Sequence, residues 1–132
     1  MIVFDASALI GAALKAASVP ERALLRAEDV DVFALSVAVE SEIVDVLNRP
    51  KFAAAIRPER RAHILDVLRR EAAWFDSIER VADCRDPKDD KYLELALASG
   101  AETTVSSDDD RLVLNPWRGV RILRPAAYLA LV

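Results

Sequence analysis

The sequence predicts an α/β fold in which a mostly parallel sheet of about five strands is covered by helices on both faces. Short apolar runs, beginning with Ile2-Val3-Phe4, alternate along the chain with segments of helical composition. Strands separated in this way call for crossover connections, which join parallel strands. The composition, 53% hydrophobic and 30% charged with three glycines and six prolines, is that of a chain with a core to bury and few breakers to interrupt it.

Taken in order, Ile2-Val3-Phe4 reads as a buried strand that ends at Asp5 and passes into a helix over Ser7 to Leu14. Pro20, favoured at a first helical position, opens a helix to about Glu28. Val32 to Leu35 is the next strand. Ser36 is the N-cap of a helix reaching Asn48, with Val39, Ile43, Val44 and Leu47 on its apolar stripe and Pro50 closing it. A further helix starts at Pro58 and carries Ile64, Leu65, Leu68 and Ala72. Trp74 to Val81 reads as a third strand, followed by a polar turn over Asp83 to Lys88. Asp89 heads a helix with Tyr92, Leu93, Leu95, Ala96 and Leu97, which stops at Gly100. Thr103 to Val105 is the fourth strand, Asp108 to Leu114 a turn or short helix, Val120 to Leu123 the fifth strand and Pro125 to Leu131 the last helix.

The 132 residues fit one domain, 1–132, and no internal repeat, linker or low-complexity stretch divides them. No apolar run approaches the ~20 residues of a bilayer span, and Met1 leads into Ile2-Val3-Phe4 without a basic leader, so a cytoplasmic protein away from membranes is expected. Cys84 is the only cysteine and His63 the only histidine, which removes a disulfide and Cys- or His-rich metal sites; any metal must be held by oxygen. The net charge of −4 weighs weakly against a nucleic-acid partner, but two divalent cations among clustered carboxylates would bring it to about zero.

In open parallel α/β sheets, sites form beyond the carboxyl ends of the strands. Asp5 ends the first strand, and Asp108 follows the fourth after Ser106 and Ser107. Asp89 heads the preceding helix, and Glu42 lies on the margin of an apolar helical stripe, where an ionised carboxylate needs a cation or hydrogen bonds. Carboxylates gathered without His or Cys suit hard ions such as Mg²⁺ or Mn²⁺, and hence phosphoryl chemistry. Each acid also has a plainer reading. Asp5 alone is equally well an N-cap, Asp89 a first-turn carboxylate favoured by the helix dipole, Asp108-Asp109-Asp110 a solvated turn and Glu42 a helix-margin charge. Their shared place at one sheet edge is what gives them weight.

His63, beside Arg60 and Arg61, reads as a surface residue, and Trp74 and Trp117 as core or interface residues. No Gly-x-Ser-x-Gly element or glycine-rich phosphate loop is present. Arg49, Lys51, Arg57, Arg60, Arg61, Arg69 and Arg70 form the one basic concentration, either a solvated helical face or a track for a phosphate backbone.

Four segments, residues 3–10, 42–52, 86–96 and 105–110, resemble in order the motifs of PIN domains: Val3-Phe4-Asp5-Ala6-Ser7, Glu42-Ile43-Val44-Asp45-Val46-Leu47, Asp86-Pro87-Lys88-Asp89-Asp90 and Val105-Ser106-Ser107-Asp108. The resemblance covers nearly the whole chain and is closest to the branch of toxin components of bacterial toxin–antitoxin pairs. It implies that Asp5, Glu42, Asp89 and Asp108 bind Mg²⁺ or Mn²⁺, that Ser7 and Ser106 orient them, and that a metal-activated water cuts RNA to leave a 5′-phosphate. The family often has Thr where this chain has Ser106 and Gly where it has Ser107. Of the adjacent pair Asp89 and Asp90, the spacing to Ala96 and Gly100 favours Asp89; Asp86, Asp90 and Asp110 are auxiliary acids. The expected partners are an RNA substrate, a cognate antitoxin and further copies in a homodimer or higher oligomer. A housekeeping RNA-processing nuclease and a non-catalytic binding module are the competing readings.

Overall fold

A computed structural model describes residues 1–132. The chain runs β1 (Ile2–Phe4), α1 (Ala6–Leu14), α2 (Val19–Val30), β2 (Ala34–Leu35), α3 (Val37–Leu47), α4 (Pro50–Ala53), α5 (Pro58–Arg69), β3 (Ala73–Trp74), a 3₁₀ turn (Pro87–Asp89), α6 (Asp90–Ser99), β4 (Thr103–Val105), α7 (Asp109–Leu112), β5 (Arg121–Leu123) and α8 (Pro125–Leu131). All strand pairings are parallel, with β4 between β1 and β5 and β2 beside β3. A single parallel bridge, Ile2 to Phe33, joins the two sheets, reinforced by the Ile2 amide donating to the Val32 carbonyl at 3.0 Å. Every residue of β1 and β4 is buried, and since successive strand residues point to opposite faces, both faces of the sheet are covered.

Helix ends follow local chemistry. The Ser36 hydroxyl accepts from the Val39 amide at 3.1 Å and starts α3. Gly100, at φ 68°, closes α6 in the left-handed conformation that a residue with a Cβ adopts only at a cost. Gly11 serves contact instead: a Cβ there would come 2.9 Å from the Pro20 ring, so its absence lets α1 and α2 pack closely.

Two expected elements differ. The strand expected over Trp74 to Val81 pairs only at Ala73–Trp74. Beyond it Ile78 is 93% exposed, and the segment is anchored instead by the Val81 amide donating to Glu94 Oε2 at 3.0 Å. Without a neighbour on its outer side, an apolar-looking run has nothing to bury against. Pro50 likewise closes α3 but then opens the short α4, as proline at a first helical position can.

Candidate active site

Asp5 caps a helix with one carboxylate oxygen and faces away from it with the other. Its Oδ1 accepts from the Ala8 amide at 3.1 Å, the N-cap bond of α1, and from Ser7 Oγ at 2.6 Å. Its Oδ2 is left for a partner outside the helix. Burial is complete, so an ionised carboxylate here depends on such partners.

Pairing of Phe4 with Val105 brings the ends of β1 and β4 side by side, and the serines join them. The Ser107 amide donates to Ser7 Oγ at 2.9 Å, the Asp108 amide donates to Ser106 Oγ at 3.0 Å, and the two hydroxyl oxygens lie 3.4 Å apart. Asp108 caps α7 by accepting from the Asp110 amide at 2.9 Å.

Asp89 stands at the junction of the 3₁₀ turn and α6 and makes no side-chain cap to α6, which leaves its carboxylate free to line the cavity described below. Burial raises its pKa, Arg111 opposes the shift, and Asp108 and Asp86 add to it. Asp90 is turned elsewhere. It is buried and accepts from the Cys84 amide at 2.8 Å, while burial and then Asp90 push the Cys84 thiol up to about 12. Glu42 projects from α3 toward Lys91 Nζ, 3.0 Å away, and the Tyr92 hydroxyl. Burial, then Glu42, raises the pKa of that hydroxyl, which also accepts from the Ala6 amide at 3.3 Å.

At the centre lies a residue that the sequence did not single out. Arg111, on α7, is only 4% exposed. Its Nε donates to Asp5 Oδ2 at 2.5 Å, Nη1 lies 2.7 Å from Asp89 Oδ1 and Nη2 lies 3.4 Å from Asp108 Oδ2. The guanidinium also sits 4.8 Å from the centre of the Tyr92 ring. Burial works against its charge, yet Asp5 and Asp89 hold its pKa above the ordinary value. Nη1 is close to Asp89 but makes no well-directed hydrogen bond.

Around this cluster opens a cavity of about 380 Å³, whose walls include Ser7, Glu42, Asp86, Asp89, Asp108 and Arg111, with Arg49, Lys51 and Lys88 among its cationic residues. Asp5 reaches it only through Arg111 and Ser7, which line the wall and bond to its carboxylate. Asp86 caps the 3₁₀ turn through the Lys88 amide at 3.0 Å, and Asp110 pairs with Arg85 at 3.6 Å outside the cavity.

The chain matches the sequence profile of the family described as PIN domain over residues 1–110. It belongs to the PIN-domain family. PIN domains are generally nucleases, which makes a phosphodiester hydrolase the activity class of this fold. The matched span contains Asp5, Glu42, Asp89 and Asp108 and stops one residue before Arg111. No curated protein matches the chain.

PIN-domain nucleases typically use divalent metals. The donor set fits such an ion: carboxylates and hydroxyls without histidine or cysteine, already gathered round a cation in the form of Arg111. As they stand, no three acids are close enough to hold one ion together, and Arg111 lies among them.

The basic segment divides in two. Arg60 is tied to Glu21, Arg69 to Glu40 at 2.8 Å, and Arg70 to Asp66 at 2.6 Å, whereas Arg49 and Lys51 reach the cavity. His63 is exposed and Trp117 buried, but Trp74 lies 49% exposed on β3. The signal for Arg111 was its place three residues after Asp108, within reach of the same short turn.

Proposed function

We propose that this PIN-domain protein is a metal-dependent endoribonuclease in which Asp5, Glu42, Asp89 and Asp108 hold Mg²⁺ or Mn²⁺. The observation that supports this most is the meeting of acids from four separate parts of the chain around one cavity at the carboxyl edge of β1 and β4. A bound divalent ion would polarise the scissile phosphate and lower the pKa of a water. The protein's own part is to position groups. Ser7 fixes the Asp5 carboxylate, Ser106 fixes the start of the Asp108 turn, and Lys91 holds Glu42. Arg49, Lys51 and Lys88 bind flanking phosphates, which answers the objection raised by the net charge, since these positive groups gather at the cavity.

Cleavage of single-stranded RNA by the full chain should require Mg²⁺ or Mn²⁺ and cease in excess chelator; undiminished cleavage in chelator would sink the mechanism. Within this reading the protein acts in the cytoplasm as the toxin of a toxin–antitoxin pair, and homodimers or larger assemblies are its working form. Its expression in a bacterial host should then arrest growth, and Asp89→Asn should relieve the arrest. Normal growth with active enzyme present would favour a housekeeping RNA-processing role.

A further inference from the structure

We propose that Arg111 is an internal competitor for the metal, a placeholder cation that must leave Asp5 before a divalent ion can be held by the acid cluster. The inference rests on the reading of this cluster as a metal site. Its basis is that the guanidinium occupies the positions that matter to an incoming ion.

Asp5 is 0% exposed, and its two oxygens are engaged by Ser7, Ala8 and Arg111. An ion in the cavity reaches Asp5 only past Arg111 and Ser7, which line the wall and bond to its carboxylate. Arg111 also draws on Asp89 and Asp108, so it touches three of the four proposed ligands, while Glu42 is held by Lys91. In this arrangement no three acids are near enough to share an ion. Metal and guanidinium therefore draw on the same negative charge, and both together at Asp5 would bring like charges into contact.

The geometry also favours release. Arg111 sits on α7, a helix of four residues that Asp108 itself caps, followed by Val113 at 77% exposure. Its Nη1 lies 2.7 Å from Asp89 Oδ1 without a well-aligned hydrogen bond, so that arm is held by charge rather than by direction. In the absence of metal, Arg111 keeps mutually repelling carboxylates folded together. When metal binds, Arg111 is displaced toward the cavity, where phosphate oxygens of a substrate would be its natural partners.

The test uses the full chain. The Arg111 Nε–Hε resonance, assigned by its loss in Arg111→Lys, should shift or vanish on saturation of the wild-type protein with Mg²⁺. In parallel, calorimetric titration should show that Arg111→Met binds Mn²⁺ at least about tenfold more tightly than wild type. Arg111→Lys, which keeps the charge and loses the fork, should fall between. Arg111→Met should also melt at lower temperature in chelator and regain more from Mn²⁺ than wild type does. If wild type binds Mg²⁺ with the Arg111 resonance unmoved, the competition is refuted and the metal site survives. A folded Arg111→Met that binds Mn²⁺ no better than wild type refutes the competition equally. Absence of metal binding in wild type and both variants would overturn the metal-dependent reading itself, and this inference with it.

Discussion

Two arginines are drawn out of solvent by carboxylates in this protein, and the terms on which they are held are opposite. Arg60 of α5 meets Glu21 of α2, and each has further partners: Arg60 Nη2 also donates to the Ala12 carbonyl at 2.7 Å, and Glu21 Oε1 accepts from the Ala17 amide at 2.8 Å. Charge balances one to one. Arg111 faces three carboxylates, Asp5, Asp89 and Asp108, so among these four groups negative charge exceeds positive by two. A matched buried pair is a clamp between helices; an unmatched one is a standing demand for another cation. The difference sets an architectural ion pair apart from the proposed site without appeal to motif.

The largest expected effect lies on the unmatched side. Asp89→Asn should lower RNA cleavage by at least ~100-fold and weaken Mn²⁺ binding, because it removes charge from the cavity while leaving no cap unmade. Asp5→Asn should cut cleavage as severely but should also lower the melting temperature, since Asp5 caps α1 and anchors Arg111. Cleavage near the wild-type rate by a folded Asp5→Asn would return that residue to its capping role. Circular dichroism provides the control for both.

Asp90→Asn sharpens the comparison from within a single helix turn. Sequence alone suggests only a dipole effect of a few tenths of a kcal/mol for this change. The buried bond to the Cys84 amide raises that expectation to roughly 1–3 kcal/mol of stability, with metal affinity retained by the folded fraction. Loss of metal binding from a fully folded Asp90→Asn would place the third acid one residue later.

On the matched side, Glu21→Gln should cost about 2 kcal/mol in urea unfolding and leave Mn²⁺ affinity unchanged; the value lies below that of a fully buried pair because Arg60 is partly solvated. Its pH dependence follows from the sign of the Glu21 shift. Burial pushes the carboxyl up, but the Ala17 amide and Arg60 prevail, so the pKa lies below its ordinary value. The stabilisation is then complete above the usual carboxylate range and fades as pH falls through the depressed value. The gap between wild type and Glu21→Gln should narrow on acidification from neutral pH to about pH 3. A gap that widens would mean the pair is unfavourable. The smallest effect belongs to the rim: Lys51→Gln should leave the fold untouched and reduce the salt dependence of RNA binding by about one phosphate contact.

The same contrasts mark how far the chain could be read without its fold. Alternation of apolar runs with helical segments was sufficient for the parallel sheet, and acids at strand ends for the edge on which the cavity opens. Asp5 shows why the competing readings could not be separated: one oxygen caps α1 while the other is left to meet Arg111, so the capping role does not exclude the proposed one. Arg111 was hidden because its importance lies in tertiary approach. Its spacing from Asp108 hints at a contact within the turn, but Asp-Asp-Asp-Arg-Leu does not tell a solvated arginine from a buried one until β4 sits against β1. The Arg-rich α5 stayed undecided for the converse reason, since Glu21 and Glu40, which take up Arg60 and Arg69, are distant in sequence. The third strand failed where Trp74 and Ile78 met solvent instead of a neighbour.

The register Ile2 to Thr103 means that the proposed centre joins segments about a hundred residues apart in order of synthesis. A nascent chain displays Asp5 early, but its neighbour strand, Asp108 and Arg111 emerge only after the intervening helices. Since long-range parallel pairing must await its partner, the acid cluster cannot close while most of the chain is still being made. For a protein proposed to cut RNA, that order keeps the hydrolytic centre unassembled beside the messenger that encodes it.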